Sequence, residues 1–340
     1  MCGISGIYNF DTQEVDQLIL QRMNDKMTVR GPDDSGYFRE QNIGLAMRRL
    51  SIIDLDGGHQ PIYNEDQTIH VVLNGEIYNY LELRQDLEKR GHHFRTKSDT
   101  EVLVHLYEEY GTDAVKHLNG MFAFAIWDSP RKRLWVVRDR LGIKPLVYFE
   151  SQKGFVFAST LEALAYHPDF KKEVDHDSLL LYFMLAYVPN PRTIWTKAKK
   201  LPPGHWLLVE NNQVRIEQYW SLKPHIHTER NQQFFVEGIQ AIIKDSIDLH
   251  SRSDVPVGTF LSGGIDSSAV TALFCEHSNN AVHTFTMDFD GKDAKEGHYA
   301  KLVGDHYKTQ HHFQCLNLDS ALQELEELLP LMDEPMADSA

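Results

Sequence analysis

The sequence predicts two fold classes in series: an α+β domain of packed sheets, then a parallel α/β domain. Three observations carry this. Short apolar, β-branched or aromatic runs bounded by Gly, Asp or Asn crowd the first half. Beyond about residue 200 the order becomes strand, helix, strand, helix, the signature of a parallel sheet. A length of 340 residues suits two domains at ~100–200 residues each.

In the first domain, residues 2–215, the strand signals are Ile4–Phe10, Ile43–Met47, Ile69–Leu73, Met121–Trp127, Leu134–Val137 and Phe155–Ala158. Gln17–Met27 behind Asp16, Leu81–Arg90 ending at Gly91, and Thr100–Tyr110 closed by Gly111 read as helices. Leu201-Pro202-Pro203-Gly204 is a turn, and the polar stretch Ser221–Arg230 is a connector. In the second domain, residues 230–340, Phe234–Leu249 has helical periodicity. Val255–Leu261 and Val282–Phe285 read as strands, Ser268–Phe274 and Tyr299–Val303 as helices.

Composition bounds the function. Apolar residues at 42% and charged residues at 24% are ordinary globular values, so disorder is not expected. Lys plus Arg is 34 against 49 Asp plus Glu, a net charge of −15. Such a chain is a poor general binder of nucleic acid or of anionic membrane surfaces. Cys2, Cys275 and Cys315 are odd in number and widely spaced, which fits neither a disulfide scaffold nor a CxxC metal site. No basic residue precedes Arg22, and no run reaches the ~20 apolar residues of a membrane span. A cytoplasmic location is therefore expected.

Cys2 directly follows the initiator Met1. With Met1 removed it would carry a thiol and a free α-amine on one residue. Their reference pKa values, ~8.5 and ~7.7–8.0, make proton transfer between them cost only ~1 kcal/mol. One residue could then supply both nucleophile and base. The ordinary alternative is a small buried cysteine. Asn74-Gly75-Glu76 follows a strand signal and reads as a tight turn. Such a turn can aim a backbone N–H and an amide at a developing oxyanion. Arg49 can hold a carboxylate through two parallel hydrogen bonds, and Asp99 can pair with an ammonium. Singly, each is more often a surface charge or a helix cap.

Taken together these residues resemble a family. MCGISGIYNF, Arg30-Gly31-Pro32-Asp33, Arg49-Leu50-Ser51-Ile52, Asn74-Gly75-Glu76-Ile77-Tyr78-Asn79, Ser98-Asp99, Asn119-Gly120-Met121-Phe122-Ala123 and Arg138-Asp139-Arg140-Leu141-Gly142-Ile143-Lys144-Pro145-Leu146 occur in that order. The pattern resembles the class II glutamine amidotransferases, and among them the glutamine-hydrolysing asparagine synthetases. The resemblance implies an N-terminal nucleophile fold, a four-layer αββα sandwich. It implies Cys2 as the nucleophile that forms a glutamyl thioester. Arg49 would bind the glutamine α-carboxylate, Asn74 and Gly75 would form the oxyanion hole, and Glu76 and Asp99 would hold the α-amino end. Ile52 would be a further glutamine contact.

Val255–Leu261 leads into Ser262-Gly263-Gly264-Ile265-Asp266-Ser267-Ser268. Two glycines allow close backbone approach to an anion, and the following helix start offers free N–H groups. The loop lacks the Lys of a Walker A motif. It resembles the pyrophosphate loop of the ATP-pyrophosphatase family. That resemblance implies that Ser262–Ser268 hold the pyrophosphate of ATP, that Leu261 and Met287 line the adenine pocket, and that magnesium sits near Asp266. The implied reaction is ATP-dependent amidation of aspartate through a β-aspartyl-AMP intermediate, with ammonia passing from Cys2 through an internal tunnel. The alternatives are amidation of a different carboxylate, a chain retaining only glutaminase activity, and a non-catalytic scaffold. The resemblance also allows a homodimer.

Three departures qualify it. The chain ends at Met332-Asp333-Glu334-Pro335-Met336-Ala337-Asp338-Ser339-Ala340 without the family's SGxGxDE segment. The second domain is thus expected to be an N-terminal part only, with exposed apolar faces over residues 230–340. Thr160 and Glu162 stand where the family usually has Glu and Lys. His92-His93 and His311-His312 lack recognised metal-ligand spacing, so surface or strand-edge histidines are expected.

Overall fold

In the computed structural model, the described residues are all but 227, 279–280, 290–295, 318–324 and 338–340. Residues Asp338, Ser339 and Ala340 of the expected C-terminal stretch lie outside them. The chain separates into two compact units. One holds Met1–Lys223 with the segment from Asp333 onward, and the other holds Pro224–Met332.

The first unit contains β1 Gly3–Asn9, α1 Gln17–Asp25, β2 Asp34–Glu40, β3 Ile43–Arg49, β4 Ile62–Tyr63, β5 Ile69–Ile77, α2 Tyr80–Lys89, α3 Val102–Tyr110, β6 Gly120–Asp128, β7 Arg133–Arg138, β8 Val147–Glu150, β9 Gly154–Ala158, α4 Leu161–Leu164, α5 His176–Leu185, β10 Lys199–Lys200, β11 His205–Glu210 and β12 Gln213–Gln218. Two six-stranded antiparallel sheets result, ordered β10-β8-β9-β1-β3-β2 and β12-β11-β7-β6-β5-β4. Ile4, Leu45, Met47 and Phe157 of one sheet pack against Val72, Ala125, Trp127 and Val136 of the other. The outer face of the first sheet packs on α1 and α4 through Leu20, Met23, Leu161 and Leu164. The outer face of the second packs on α2 and α3 through Leu87, Val102, Leu103 and Leu106. This is the four-layer αββα sandwich. Because β1, β3, β5, β6 and β9 are buried on both faces, their sequences are continuous apolar runs rather than alternating ones.

Several elements differ from the sequence expectation. Asn74-Gly75-Glu76 is not a turn: β5 runs on to Ile77, with Asn74 opposite Ala123 and Gly75 opposite Phe122. The missing Cβ is what permits it, since a Cβ on Gly75 would lie 2.1 Å from the Met121 carbonyl oxygen. Thr100–Tyr110 divides into a 3-10 turn at Asp99–Glu101 and α3. β2, β8, β11, β12 and α5 carried no recognised signal. β2 alternates burial along its length and β12 is mostly exposed, so both read as polar segments.

The second unit contains α6 Gln232–His250, β13 Gly258–Phe260, α7 Ile265–His277, β14 His283–Phe289, α8 Glu296–Tyr307 and β15 Gln310–Leu316. Its sheet is parallel, ordered β13-β14-β15. Pro256 has no N–H to give, and the strand begins only at Gly258, later than Val255. The expected exposed apolar face is present. Phe260 is 87% and Ile265 88% exposed, and Phe235, Ile239 and Ile242 form an exposed stripe on α6 at helical spacing. His311 and His312 lie on the edge strand β15, as expected. His92 is not a surface histidine: its side chain is 13% exposed, with its ring 4.8 Å from that of His105. Thr160 caps α4, accepting from the Ala163 N–H, and Glu162 pairs with Lys26 at 3.2 Å. The Asp333 carboxylate accepts from the Leu161 and Glu162 N–H groups, which fixes Asp333 to the first unit.

Among the described residues, no helix is long and apolar enough to cross a membrane. Trp127 is fully buried between the sheets, its ring 5.7 Å from Tyr8 and its Nε1–H donating to Glu40 at 3.1 Å. Replacing it with Ala is expected to cost ~3–5 kcal/mol of unfolding free energy, measurable by urea titration followed by circular dichroism.

Candidate active site

Cys2 lies one residue before β1, against the end of β3. Its Sγ accepts from the Leu50 N–H at 3.4 Å and donates to the Leu50 carbonyl at 3.6 Å. Arg30 Nε donates to the Cys2 carbonyl at 3.1 Å. Burial pushes the thiol pKa up. The Leu50 N–H, the chain-terminal amine and Arg49 oppose that shift. Met1 is present, so the amine is that of Met1. Burial lowers its pKa. Met1 itself is 57% exposed.

A cavity of about 130 Å³ opens at the sulfur, and all seven predicted residues line it: Cys2, Arg49, Ile52, Asn74, Gly75, Glu76 and Asp99. Arg49, at the end of β3, is buried. Its guanidinium donates to the carbonyls of Ile53, Asp54 and Leu55, which fixes its plane. Asn74 Nδ2 donates to Ser159 Oγ at 3.4 Å, and Ser159 Oγ also accepts from the Ile4 N–H at 3.0 Å. One hydroxyl thus ties the β5 amide to the strand that follows Cys2. Asn74 Oδ1 is buried without a hydrogen bond.

The cavity is charged in a definite pattern. Asp99 is buried, with Oδ2 accepting from the Ile77 N–H at 2.8 Å and Oδ1 from Ser98 Oγ at 3.4 Å. Burial pushes its pKa up to about 6, and the nearby Glu76 carboxylate adds to the rise. Burial also raises Glu76, opposed by Lys144. Lys144 lines the cavity too, and burial lowers its pKa against the pull of Glu76 and Cys2. Lys144 and Gln60 went unrecognised as site residues. Lys144 is delivered by the loop after β7, which Asp139 organises: its carboxylate accepts from the N–H groups of Phe122, Leu141, Ile143 and Lys144. Gln60 accepts from the Leu73 N–H and donates to Thr100 Oγ1. Lys144 lies inside the Arg138–Leu146 string, which is the signal for it, whereas no local motif signals Gln60.

In the second unit the glycine loop leaves the C-terminal end of β13, where parallel sheets place ligands. Ser262 Oγ and Ser267 Oγ are 3.0 Å apart, and Ser267 Oγ donates to the Gly264 carbonyl. Gly263 has φ +81°, and a Cβ there would meet the Ala300 N–H nitrogen at 2.5 Å. Asp266 stands exposed in the first turn of α7, followed by Ser268. The Leu261 N–H donates to the Phe285 carbonyl, and the Thr286 hydroxyl donates to the Leu261 carbonyl. This sets Leu261 beside the end of β14 that carries Met287.

Comparison with known proteins places the chain in a family. Residues 1–220 match the family described as a glutamine amidotransferase domain, and residues 238–340 match the one described as asparagine synthase. The chain belongs to the glutamine-hydrolysing asparagine synthetase family. It is 37% identical to asparagine synthetase [glutamine-hydrolyzing] 3 of Bacillus subtilis (strain 168), over 99% of this chain and 58% of that protein. It is also 37% identical to asparagine synthetase [glutamine-hydrolyzing] 1 of the same organism, over 100% of this chain and 54% of that one. The chain therefore spans somewhat over half the length of these relatives. A solved structure of the allosteric regulatory enzyme of purine biosynthesis matches with a TM-score of 0.50 at 15% identity, over 92% of this chain and 80% of that one, a likeness of fold.

The two buried aspartates should respond oppositely to mutation. Asp139→Ala strands four N–H groups and is expected to cost at least ~3 kcal/mol of stability. Asp99 has a folded-state pKa of about 6 against ~3.9 for a free side chain. Its protonated form thus favours folding fully below the unfolded value, and that contribution is lost as pH rises through about 6. Asp99→Asn is expected to be more stable than wild type at pH 8, by up to ~3 kcal/mol, with the gap closing by pH 4. Urea titrations across that range measure both.

Proposed function

We propose that the chain releases ammonia from glutamine at Cys2, and that this ammonia amidates aspartate activated by ATP at the 262–268 loop. The convergence of Cys2, Arg49, Asn74, Gly75, Glu76 and Asp99 on one cavity carries the first half of the reading. It is an arrangement complementary to an amino acid: a guanidinium for the α-carboxylate, two carboxylates for the α-ammonium, and a thiol for the side-chain carbon. Glutamine bound this way also relieves the repulsion between Glu76 and Asp99.

Removal of the exposed Met1 frees the Cys2 α-amine. That amine takes the thiol proton, and the thiolate attacks the carboxamide carbon. The oxyanion accepts from Asn74 Nδ2 and the Gly75 N–H. The amine returns its proton to the nitrogen, the C–N bond breaks, and ammonia leaves a glutamyl thioester. Water then cleaves the thioester to give glutamate and regenerate the thiol. Burial of the site keeps the leaving ammonia in its unprotonated, nucleophilic form.

At the second site, the N–H groups and hydroxyls of Ser262–Ser268 hold the pyrophosphate of ATP, and Leu261 and Met287 flank the adenine. Aspartate's β-carboxylate displaces pyrophosphate from the α-phosphorus. Ammonia displaces AMP from the resulting β-aspartyl-AMP. A single exposed carboxylate beside hydroxyl donors fits magnesium, which keeps water and phosphate oxygens as most of its ligands. Asp266 would hold it, and the ion would neutralise phosphate charge.

Three assays test the reading. Purified chain lacking Met1 is expected to convert glutamine to glutamate and ammonia, and Cys2→Ala is expected to abolish this. Asn74→Ala is expected to lower kcat by ~10²–10³-fold, the effect of removing one oxyanion donor. Supplied with ATP and alternative acids, the protein is expected to yield asparagine from aspartate. A different amide product would reassign the acceptor, and no glutamate at all would leave a scaffold.

A further inference from the structure

Four side chains converge at a point that is not part of the thiol cavity. Glu65 lies in the loop after β4, His92 follows α2, and His105 and Glu108 lie one turn apart on α3. Their ligand atoms all fall within 4.8 Å of one another. His105 Nδ1 is 3.3 Å from Glu65 Oε2 and 3.1 Å from Glu108 Oε2. His92 Nδ1 is 3.3 Å from Glu65 Oε1 and 3.6 Å from Glu108 Oε2. A tetrahedron with metal–ligand bonds of ~2.0–2.1 Å has edges of ~3.3–3.4 Å, which a small closing of the four groups, with one Glu65 oxygen in place of the two that face the rings, would give.

We propose that Glu65, His92, His105 and Glu108 form a structural binding site for one divalent cation of the zinc class, with both imidazoles ligating through Nδ1. The surroundings of the two rings point the same way. Metal-bound histidines direct their second nitrogen at a carboxylate or carbonyl. Here His92 Nε2 is 3.3 Å from Glu109 Oε1. His105 Nε2, on a side chain 1% exposed, is 3.8 Å from Glu101 Oε1 and makes no hydrogen bond. The ligand carboxylates are themselves held: Glu108 Oε1 accepts from Asn64 Nδ2 at 2.8 Å, and Glu65 Oε1 accepts from the His93 N–H at 2.9 Å.

The two ring centroids lie 4.8 Å apart, close enough for one ion to reach both rings. The site would staple three segments and brace the stretch from His92 to Glu101, which carries Asp99 into the thiol cavity. Only His105 and Glu108 share an element, so no sequence spacing announces the full set.

The full chain, stripped with a chelator and dialysed against Zn²⁺ or Co²⁺, tests this by metal analysis and by the visible spectrum of bound cobalt. The expected result is one ion per chain beyond the content of His92→Asn, with a four-coordinate cobalt spectrum and a raised Tm that His92→Asn lacks. Glu109→Gln, outside the ligand set, is expected to weaken binding ~10–100-fold while the fold persists. Uptake by the wild type no greater than by His92→Asn, or cobalt binding indifferent to both substitutions, overturns the proposal. Glutaminase activity enters none of these readouts, so failure here leaves the reading of Cys2 intact.

Discussion

Everything at the thiol cavity depends on how β1 is held. It pairs with β3 from Gly3↔Arg48 to Tyr8↔Ile43, and with β9 on its other side. The strand is buried on both faces, so a slip of one residue would reverse every side chain and is strongly disfavoured. That register alone places Cys2 beside Leu50 and Arg49 at the adjoining strand end. The facing sheet is locked to it by Ser159, whose hydroxyl accepts from both Ile4 and Asn74. A thiol on one sheet and an amide on the other are thereby fixed through a single oxygen atom.

The electrostatics follow from what each buried charge is given. Asp139 receives four N–H donors and serves as an architectural anion that shapes the loop bearing Lys144. Asp99 receives one N–H and one hydroxyl, and faces Glu76. It is under-satisfied where Asp139 is not, which suits a carboxylate kept for a cationic partner. Arg49 donates to the backbone carbonyls of Ile53, Asp54 and Leu55, which fix the plane of its guanidinium. The cavity thus gathers Arg49 and Lys144 with Glu76 and Asp99, at some cost to fold stability.

Legibility in the sequence followed contiguity. Cys2, Arg49, Asn74, Gly75 and Asp99 each sit in a short distinctive string, and all of them line the cavity. The 262–268 loop was readable because strand, glycines and helix succeed one another without interruption. At Asn74-Gly75 local propensity favours a turn, but pairing with β6 and the absent Cβ keep the chain extended. β12 and β2 were missed because edge strands carry polar residues. Lys144 lies in a distinctive string, but nothing local shows that it reaches the cavity. Gln60 and the His92–His105 cluster have no such string, because tertiary structure alone brings them to their partners.

The central claim is that a free α-amine on Cys2 primes its own thiol for attack on glutamine. The most direct measurement is the rate of Cys2 alkylation as a function of pH, in protein with Met1 removed and in protein retaining it, each with and without glutamine. The account predicts faster labelling near neutral pH in the processed protein, with glutamine protecting the thiol. Identical profiles for the two forms, or labelling unaffected by glutamine, would contradict it.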